Sequence, residues 1–583
     1  MFSPSRKISK ESSGKQLIEL SRIRLACVIV FFCLCYIAIA VRLLEVSVMN
    51  RADEQTQQAA PITEARGQET SLADWNPPMK LTRADIVDRN GEVLATSLNM
   101  LSLFANPKIM VEPYEAAKKL TTVFPQMKEK ELRKLLTQDA SFVWIKRNLT
   151  PREQHEVNNL GIPGLYFQPE QRRIYPYGNL LAHIVGYVGI DNLGLSGIEK
   201  SMNKRITATR YDSQPLALSV DVRLQHIVHD ELSKAVKEFQ AIGGVGVIMD
   251  SNNGEILSMV NLPDFNPHEP GRASDDAKFN RASLGNYEMG STFKTFTTAM
   301  ALDYGIVNLQ DGYDATNPIR ISRFTISDTH PKKRWLSIPE IYAYSSNIGT
   351  VKMIMDVGPQ KQQEFLKKLG LLDPISIELS EVSQPLYPKD WKEINAMTIS
   401  FGHGMTVSPL SLVRATAAVV DGGTLLPMTL LKGGTARKLP GLRVMKESTA
   451  LKMRRLMRMV VEHGTGAKAE AAGYRVGGKT GTAEKVQGGG YNHDAKMALF
   501  LGAYPTDNPN YIVLIMVDEP KGNKSTYGYA TGGWIAAPVA GRIIERMGTL
   551  YGMKPVFDTI PERDQDRGWV EEANRRFLLE AKY

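Results

Sequence analysis

Beyond residue 35 the chain has no cysteine. Its three, Cys27, Cys33 and Cys35, all fall inside one uncharged apolar run. Everything after that run is therefore without disulfides or thiol chemistry, and the three thiols read as apolar filler. Histidine is scarce as well, with nine among 583 residues. His226 and His229, three apart before Asp230, mimic a metal pair but have no convincing third ligand. They read as one face of a surface helix. No internal repeat or low-complexity tract stands out, and no basic run is interleaved with aromatics, which argues against nucleic acid as a partner. The net charge of +9 suits an anionic polymer or lipid headgroups. At 43% hydrophobic and 23% charged residues, the composition is that of a globular protein with two or three domains.

Only one apolar run is long. Leu25 to Val41 carries no charge and is followed by Arg42, Leu43 and Leu44. As a helix it spans about 26 Å, close to a bilayer core. Arg6, Lys7, Lys10, Lys15, Arg22 and Arg24 precede it against Glu11 and Glu19. That bias predicts a cytoplasmic segment 1–24, a transmembrane helix 25–44, and everything later on the far side. Ala38-Ile39-Ala40 is also compatible with a cleaved signal peptide, but the long basic region and the apolar residues past Ala40 favour an uncleaved anchor.

After a linker at 45–76 rich in Gln, Ala, Thr and Glu, the pattern changes. Leu81 to Ala95 reads as strand, Asn90-Gly91 turn, strand, and Tyr114 to Leu136 is helically patterned. Residues 77–217 contain no catalytic constellation and read as a scaffold. From 218 to 547 the chain reads as one large α/β domain. Its predicted strands are Ala241–Met249, Glu255–Val260, Tyr474–Glu484, Ala495–Tyr504 and Tyr511–Asp518. The tail 548–583 ends in a charged stretch with no assigned role.

Chemistry is concentrated in three short motifs: Ser291-Thr292-Phe293-Lys294, Ser345-Ser346-Asn347 and Lys479-Thr480-Gly481-Thr482. Singly, the first two are cheap. Ser12 to Lys15 and Ser201 to Lys204 also read S-x-x-K, and Ser97-Leu98-Asn99 and Ser251-Asn252-Asn253 also read S-x-N. K-T-G occurs once, and order and context give the set its weight. Ser291 opens an apolar helix, Phe293 to Leu302, that Gly305 can end. Lys294 lies on the same helix face and can reach the serine hydroxyl. A helix N-terminus also offers free N–H groups to a developing oxyanion. Ser12, by contrast, precedes the apolar run, and Ser201 sits among charges. The K-T-G segment lies on a strand with Gly477, Gly478 and Gly481, where glycine marks close approach of a backbone or ligand.

In this order the motifs resemble the active-site set of serine enzymes that react with penicillin. Further matches are Asp88-Arg89-Asn90-Gly91, Tyr175-Pro176, Gly197-Ile198-Glu199, Asn280-Arg281-Ala282, Phe401-Gly402-His403-Gly404 and Tyr504-Pro505. With them, residues 20–545 resemble a class B penicillin-binding protein, a membrane-anchored peptidoglycan D,D-transpeptidase. The stretch Glu288 to Lys294, with Thr295 after it, is most similar to the division-specific branch. Ala84, where a glycine often follows the arginine, and Met289, where proline is frequent, depart from the pattern.

The resemblance implies an α+β pedestal of dimerisation type and a serine β-lactamase-like transpeptidase domain, its central antiparallel sheet covered by helices on both faces. It implies that Ser291 attacks the carbonyl between the terminal D-alanines of a stem peptide. Lys294 would be the base, kept neutral by burial and by Lys479. The N–H groups of Ser291 and Thr482 would form the oxyanion hole. Ser345 would relay a proton to the leaving D-alanine and Asn347 would hold the substrate amide. Ser346, Thr480, Gly481 and Thr482 would bind substrate. Neither metal nor organic cofactor is implied. The implied partners are the lipid-linked precursor polymer, a membrane glycosyltransferase, other division proteins and the inner membrane. An elongation-specific transpeptidase, a β-lactamase or carboxypeptidase, a β-lactam sensor and a catalytically silent division scaffold are the alternatives.

Overall fold

Asp88 shows how the first folded segment is built. In the computed structural model its carboxylate accepts hydrogen bonds from the backbone N–H of Asn90 (2.6 Å) and Glu92 (2.9 Å), which closes the Asn90-Gly91 turn. Its second oxygen accepts from Val222 N at 3.2 Å, so the same side chain ties the turn to the helix that follows residue 221. Arg89 adds a backbone bond to Val220 O at 2.9 Å and an ion pair with Glu255 at 3.4 Å.

The structure describes residues 82–208, 214–321, 324–433, 441–487 and 490–557, together with Cys33, Leu34 and Tyr36. The predicted anchor at 25–44 (those three residues apart), the linker at 45–76 and the charged end of the tail lie outside them. Among the described residues no helix is long and apolar enough to cross a membrane.

The N-terminal part holds β1 (Thr82–Arg83), β2 (Ile86–Val87), β3 (Val93–Ala105), α1 (Pro113–Val123), α2 (Glu129–Leu136), β4 (Val143–Leu149), α3 (Pro151–Asn159) and β5 (Leu165–Ile174). β3 is long enough to serve two groups of neighbours. Its start pairs with β2, and its far end is flanked by β4 and β5, antiparallel throughout. The predicted helical stretch 114–136 is two helices, because Pro125 cannot continue the first. Leu103, Leu120, Leu132, Ile145 and Val157 join the far sheet and these helices in one apolar core. Nearer β1 lies a buried ionic knot. Glu199 receives Arg83 and Arg173, and all three side chains are at most 1% exposed.

The larger part contains α4 (Val222–Glu238), β6 (Gly243–Asp250), β7 (Ile256–Leu262), α5 (Lys294–Asp303), α6 (Asn347–Val357), α7 (Pro409–Val420), α8 (Glu447–His463), β8 (Gly477–Gln487), β9 (Gly490–Tyr504), β10 (Tyr511–Asp518) and α9 (Ala536–Leu550). The sheet order is β8-β9-β10-β6-β7, and every pairing is antiparallel. Alternation along the strands feeds two cores. On β10, Ile512, Leu514 and Met516 face the core shared with α5, α6, α7 and α8. Val513, Ile515 and Val517 face the one shared with α4 and α9. This is the helix-covered antiparallel sheet that the resemblance implied. The early strands β6 and β7 precede α5 in the chain and β8 to β10 follow it, and the turn Gly290–Phe293 that leads into α5 packs against β8.

Candidate active site

Ser291 sits in a short 3₁₀ turn, Gly290–Phe293, that leads into α5. Three glycines let this turn touch its neighbours backbone to backbone. Gly290 adopts φ +51°, and a Cβ there would stand 2.6 Å from Thr482 O. Gly402, at φ +88°, would place a Cβ 2.0 Å from Gly290 O. A Cβ on Gly481 would lie 2.9 Å from Met289 O. The Ser291 turn is thereby wedged between β8 and the Phe401–Gly404 loop, with Gly290 N donating to Gly402 O at 3.2 Å.

The second motif turns on Ser345, whose φ of +62° is strained for a residue with a side chain. This conformation presents the residue to two lysines. Lys294 Nζ donates to Ser345 O at 2.5 Å and to Ser345 Oγ at 3.0 Å. Lys479 Nζ donates to the same Oγ at 2.9 Å and to Thr480 O at 3.2 Å. Both lysines are buried, at 1% and 0% exposure. The sequence predicts that Lys294 reaches the Ser291 hydroxyl, whereas among the described residues both its hydrogen bonds end on Ser345.

Burial disfavours an ammonium. It lowers Lys294 well below the ordinary lysine range, and the charge of Lys479 lowers it further. Asp328 pulls weakly the other way. Lys479 is pushed down to about 7 by burial. A neutral amine beside a serine hydroxyl can accept a proton, and burial favours that neutral form in both lysines.

The remaining motif residues have local partners. Ser346 Oγ caps α6 by accepting from Gly349 N at 3.0 Å and donates to Asp328 Oδ2 at 2.8 Å. Asp328 Oδ1 accepts from Ile348 N at 3.0 Å, so a carboxylate sits where the helix dipole favours one. Asn347 Nδ2 donates to Ser327 O at 2.9 Å. Thr480 Oγ1 lies 2.6 Å from Thr465 Oγ1, and Thr482 Oγ1 accepts from Gly532 N at 3.2 Å. Asp328 and Thr465 carried no signal in the sequence. Each is an isolated residue of a common type whose partner lies in another motif.

One polar cluster flanks the turn. Glu288 Oε1 accepts from Gly404 N at 2.7 Å and from Tyr491 Oη at 3.3 Å, and burial raises its pKa. His403 packs edge-on against Tyr491 and is held below its ordinary pKa, first by burial and then by Lys294. Among the described residues no group of three His, Cys, Asp or Glu side chains could hold a metal ion. His229 is engaged with Asp264 at 2.7 Å.

The family model for the penicillin-binding protein transpeptidase domain matches residues 244–545, and that for the penicillin-binding protein dimerisation domain matches 78–214. The chain is 38% identical to the probable peptidoglycan D,D-transpeptidase FtsI of Caulobacter vibrioides, over 92% of this chain and 89% of the relative. It is 35% identical to the probable peptidoglycan D,D-transpeptidase PenA of Neisseria gonorrhoeae (81% and 85%) and 31% identical to the peptidoglycan D,D-transpeptidase FtsI of Escherichia coli (79% and 82%). A crystal structure of a peptidoglycan synthetase from Bifidobacterium adolescentis shares the fold, with a TM-score of 0.64 at 24% identity, over 83% of this chain and 98% of that one.

The chain belongs to the penicillin-binding proteins, in the two-domain class B architecture. It is a serine-type peptidoglycan D,D-transpeptidase.

Proposed function

We propose that this transpeptidase cross-links stem peptides at the division septum through the Ser291 hydroxyl. The observation that carries the site assignment is the convergence of two buried lysines on Ser345, beside a nucleophile turn wedged by glycines. Neutral Lys294 takes the Ser291 proton as Oγ attacks the carbonyl of the penultimate D-alanine. The N–H groups of Ser291 and Thr482 hold the resulting oxyanion. The proton passes by way of the Ser345 hydroxyl to the departing D-alanine nitrogen, and the C–N bond breaks to leave an ester on Ser291. An amine of a neighbouring stem peptide then attacks the ester, restoring the serine and forming the cross-link. Lys479, Thr480 and Thr482, with the backbone of Gly481, receive the donor's terminal carboxylate. Asn347 holds its amide, and Ser346 keeps Asn347 in place by capping α6. β-Lactams acylate the same serine.

The septal assignment is supported by the likeness to proteins named FtsI in two organisms. On this reading residues 77–217 are a pedestal, 218–547 the catalytic domain and 25–44 an inner-membrane anchor, with a membrane glycosyltransferase and other division proteins as partners.

Covalent labelling of the full chain with a fluorescent penicillin tests the site. Label mapped to Ser291 and lost in Ser291→Ala supports it, whereas no label on folded protein favours a silent scaffold. Depletion tests the pathway: filamentous cells support septal work, and round cells would assign the enzyme to elongation.

A further inference from the structure

Beside β8 stands a group of aromatic rings that acyl transfer does not use, two of them exposed tyrosines and one, Trp534, partly buried on the core shared with α4 and α9. Tyr529 stacks on Trp534, with centroids 5.7 Å apart and planes 13° from parallel. Tyr527 meets Trp534 edge-on at 5.5 Å. The Lys468 ammonium lies 4.3 Å from the centre of the Trp534 ring. Tyr527 is 79% exposed and Tyr529 50% exposed. Two large rings held in water on a partly buried Trp are the composition enriched at binding surfaces.

The loop carrying them is built to be stiff. Asn523 Oδ1 accepts from Ser525 N (2.8 Å) and Thr526 N (3.2 Å), and Gly528 N donates to Asn523 O at 2.9 Å. Gly522 crosses Gly528 so closely that a Cβ on it would lie 2.1 Å from Gly528 O. The rings are thus pre-positioned, which lowers the entropy lost on binding.

The platform is continuous with the carboxylate-binding strand. Gly532 N bonds Thr482 Oγ1, and a Cβ on Gly532 would stand 2.5 Å from Gly481 O. Gly533 packs on Thr465, the partner of Thr480. A polymer whose peptide lay along β8 would have this loop beside its backbone. Pyranose rings present flat C–H faces that stack on Tyr and Trp. Lys468, Lys521 and Lys524 add positive charge for a chain bearing carboxylates.

We propose that Tyr527, Tyr529, Trp534 and Lys468 form a subsite for the sugar backbone of the peptidoglycan strand being cross-linked. The proposal rests on the reading of β8 as the acyl-transfer strand.

The test measures binding of the full-length protein in detergent to peptide-free glycan strands, with the free stem peptide as a second probe and penicillin labelling of Ser291 in parallel. Tyr529→Ala should weaken glycan binding about tenfold and leave stem-peptide binding and penicillin labelling in place, and Trp534→Phe should retain glycan binding. Undiminished glycan binding by Tyr529→Ala overturns the proposal, and so does loss of stem-peptide binding with glycan binding kept. If Tyr529→Ala also loses the label, Tyr527→Ala decides in the same two ways. Wild-type protein that binds glycan yet takes no label on Ser291 would retain the subsite and reject the acyl-transfer reading instead.

Discussion

Lys479 donates to the Ser345 hydroxyl across 2.9 Å, which brings the third motif into direct contact with the second. Lys294 reaches the same oxygen from the first motif at 3.0 Å. Three segments far apart in the chain therefore share one hydroxyl.

The acylation rate should rise with pH as Lys294 loses its proton. Burial is the first cause of its lowered pKa and Lys479 the second. Lys479→Gln removes the second cause, so the limb should move to higher pH. Penicillin acylation followed from about pH 6 to about pH 10 would show it, and an unmoved limb would count against Lys294 as the base.

Stability should respond to the same burial. A lysine pushed down to about 7 holds fewer protons folded than unfolded between about pH 7 and about pH 10. Its burden on the fold is full below that window and eases as pH rises through it. Lys479→Met should therefore stabilise the protein more at the acid end than at the alkaline end. Denaturant unfolding at both ends checks this, and a gain that grows with pH would contradict it.

Ser345→Ala keeps the backbone carbonyl that Lys294 uses but removes the shared hydroxyl. Acylation should slow by about 10²- to 10⁴-fold with little change in melting temperature. Labelling kinetics alongside a thermal melt would separate this from simple unfolding.

Gly402→Ala would drive a methyl to 2.0 Å from Gly290 O in a left-handed conformation. The Ser291 turn must shift, so stability should fall by about 2–4 kcal/mol and labelling should be lost. Full labelling in this variant would show that the wedge is unnecessary.

Glu199→Ala leaves the Arg83 and Arg173 guanidiniums buried without their carboxylate. The loss should be about 3–5 kcal/mol in unfolding free energy, far above that of a surface pair. Chemical denaturation of the full chain measures it.

The three motifs were legible because each places particular residue types at a fixed local spacing. Ser291 and Lys294 are three apart on one turn, and a single K-T-G follows. The strands were legible where apolar runs met turn residues, as in Tyr511–Asp518, which is as predicted. What was hidden depends on contacts between distant segments. Asp328 caps α6 from about twenty residues upstream, Thr465 meets Thr480, and Lys294 turns to Ser345. No local pattern encodes these meetings. The helical patterning of 114–136 is also present, divided into two helices at Pro125.

β3 runs unbroken for thirteen residues, about 40 Å of extended chain. One end is fastened through the Asp88 turn to the start of α4, and the other is clasped between β4 and β5. Such a strand works as a strut. The Asp88 turn and the β4–β5 clasp are thus two ends of one element, interrupted only by an extra residue where Val93 to Ala95 pair with β2, so a shift of either end has a single strand to travel along.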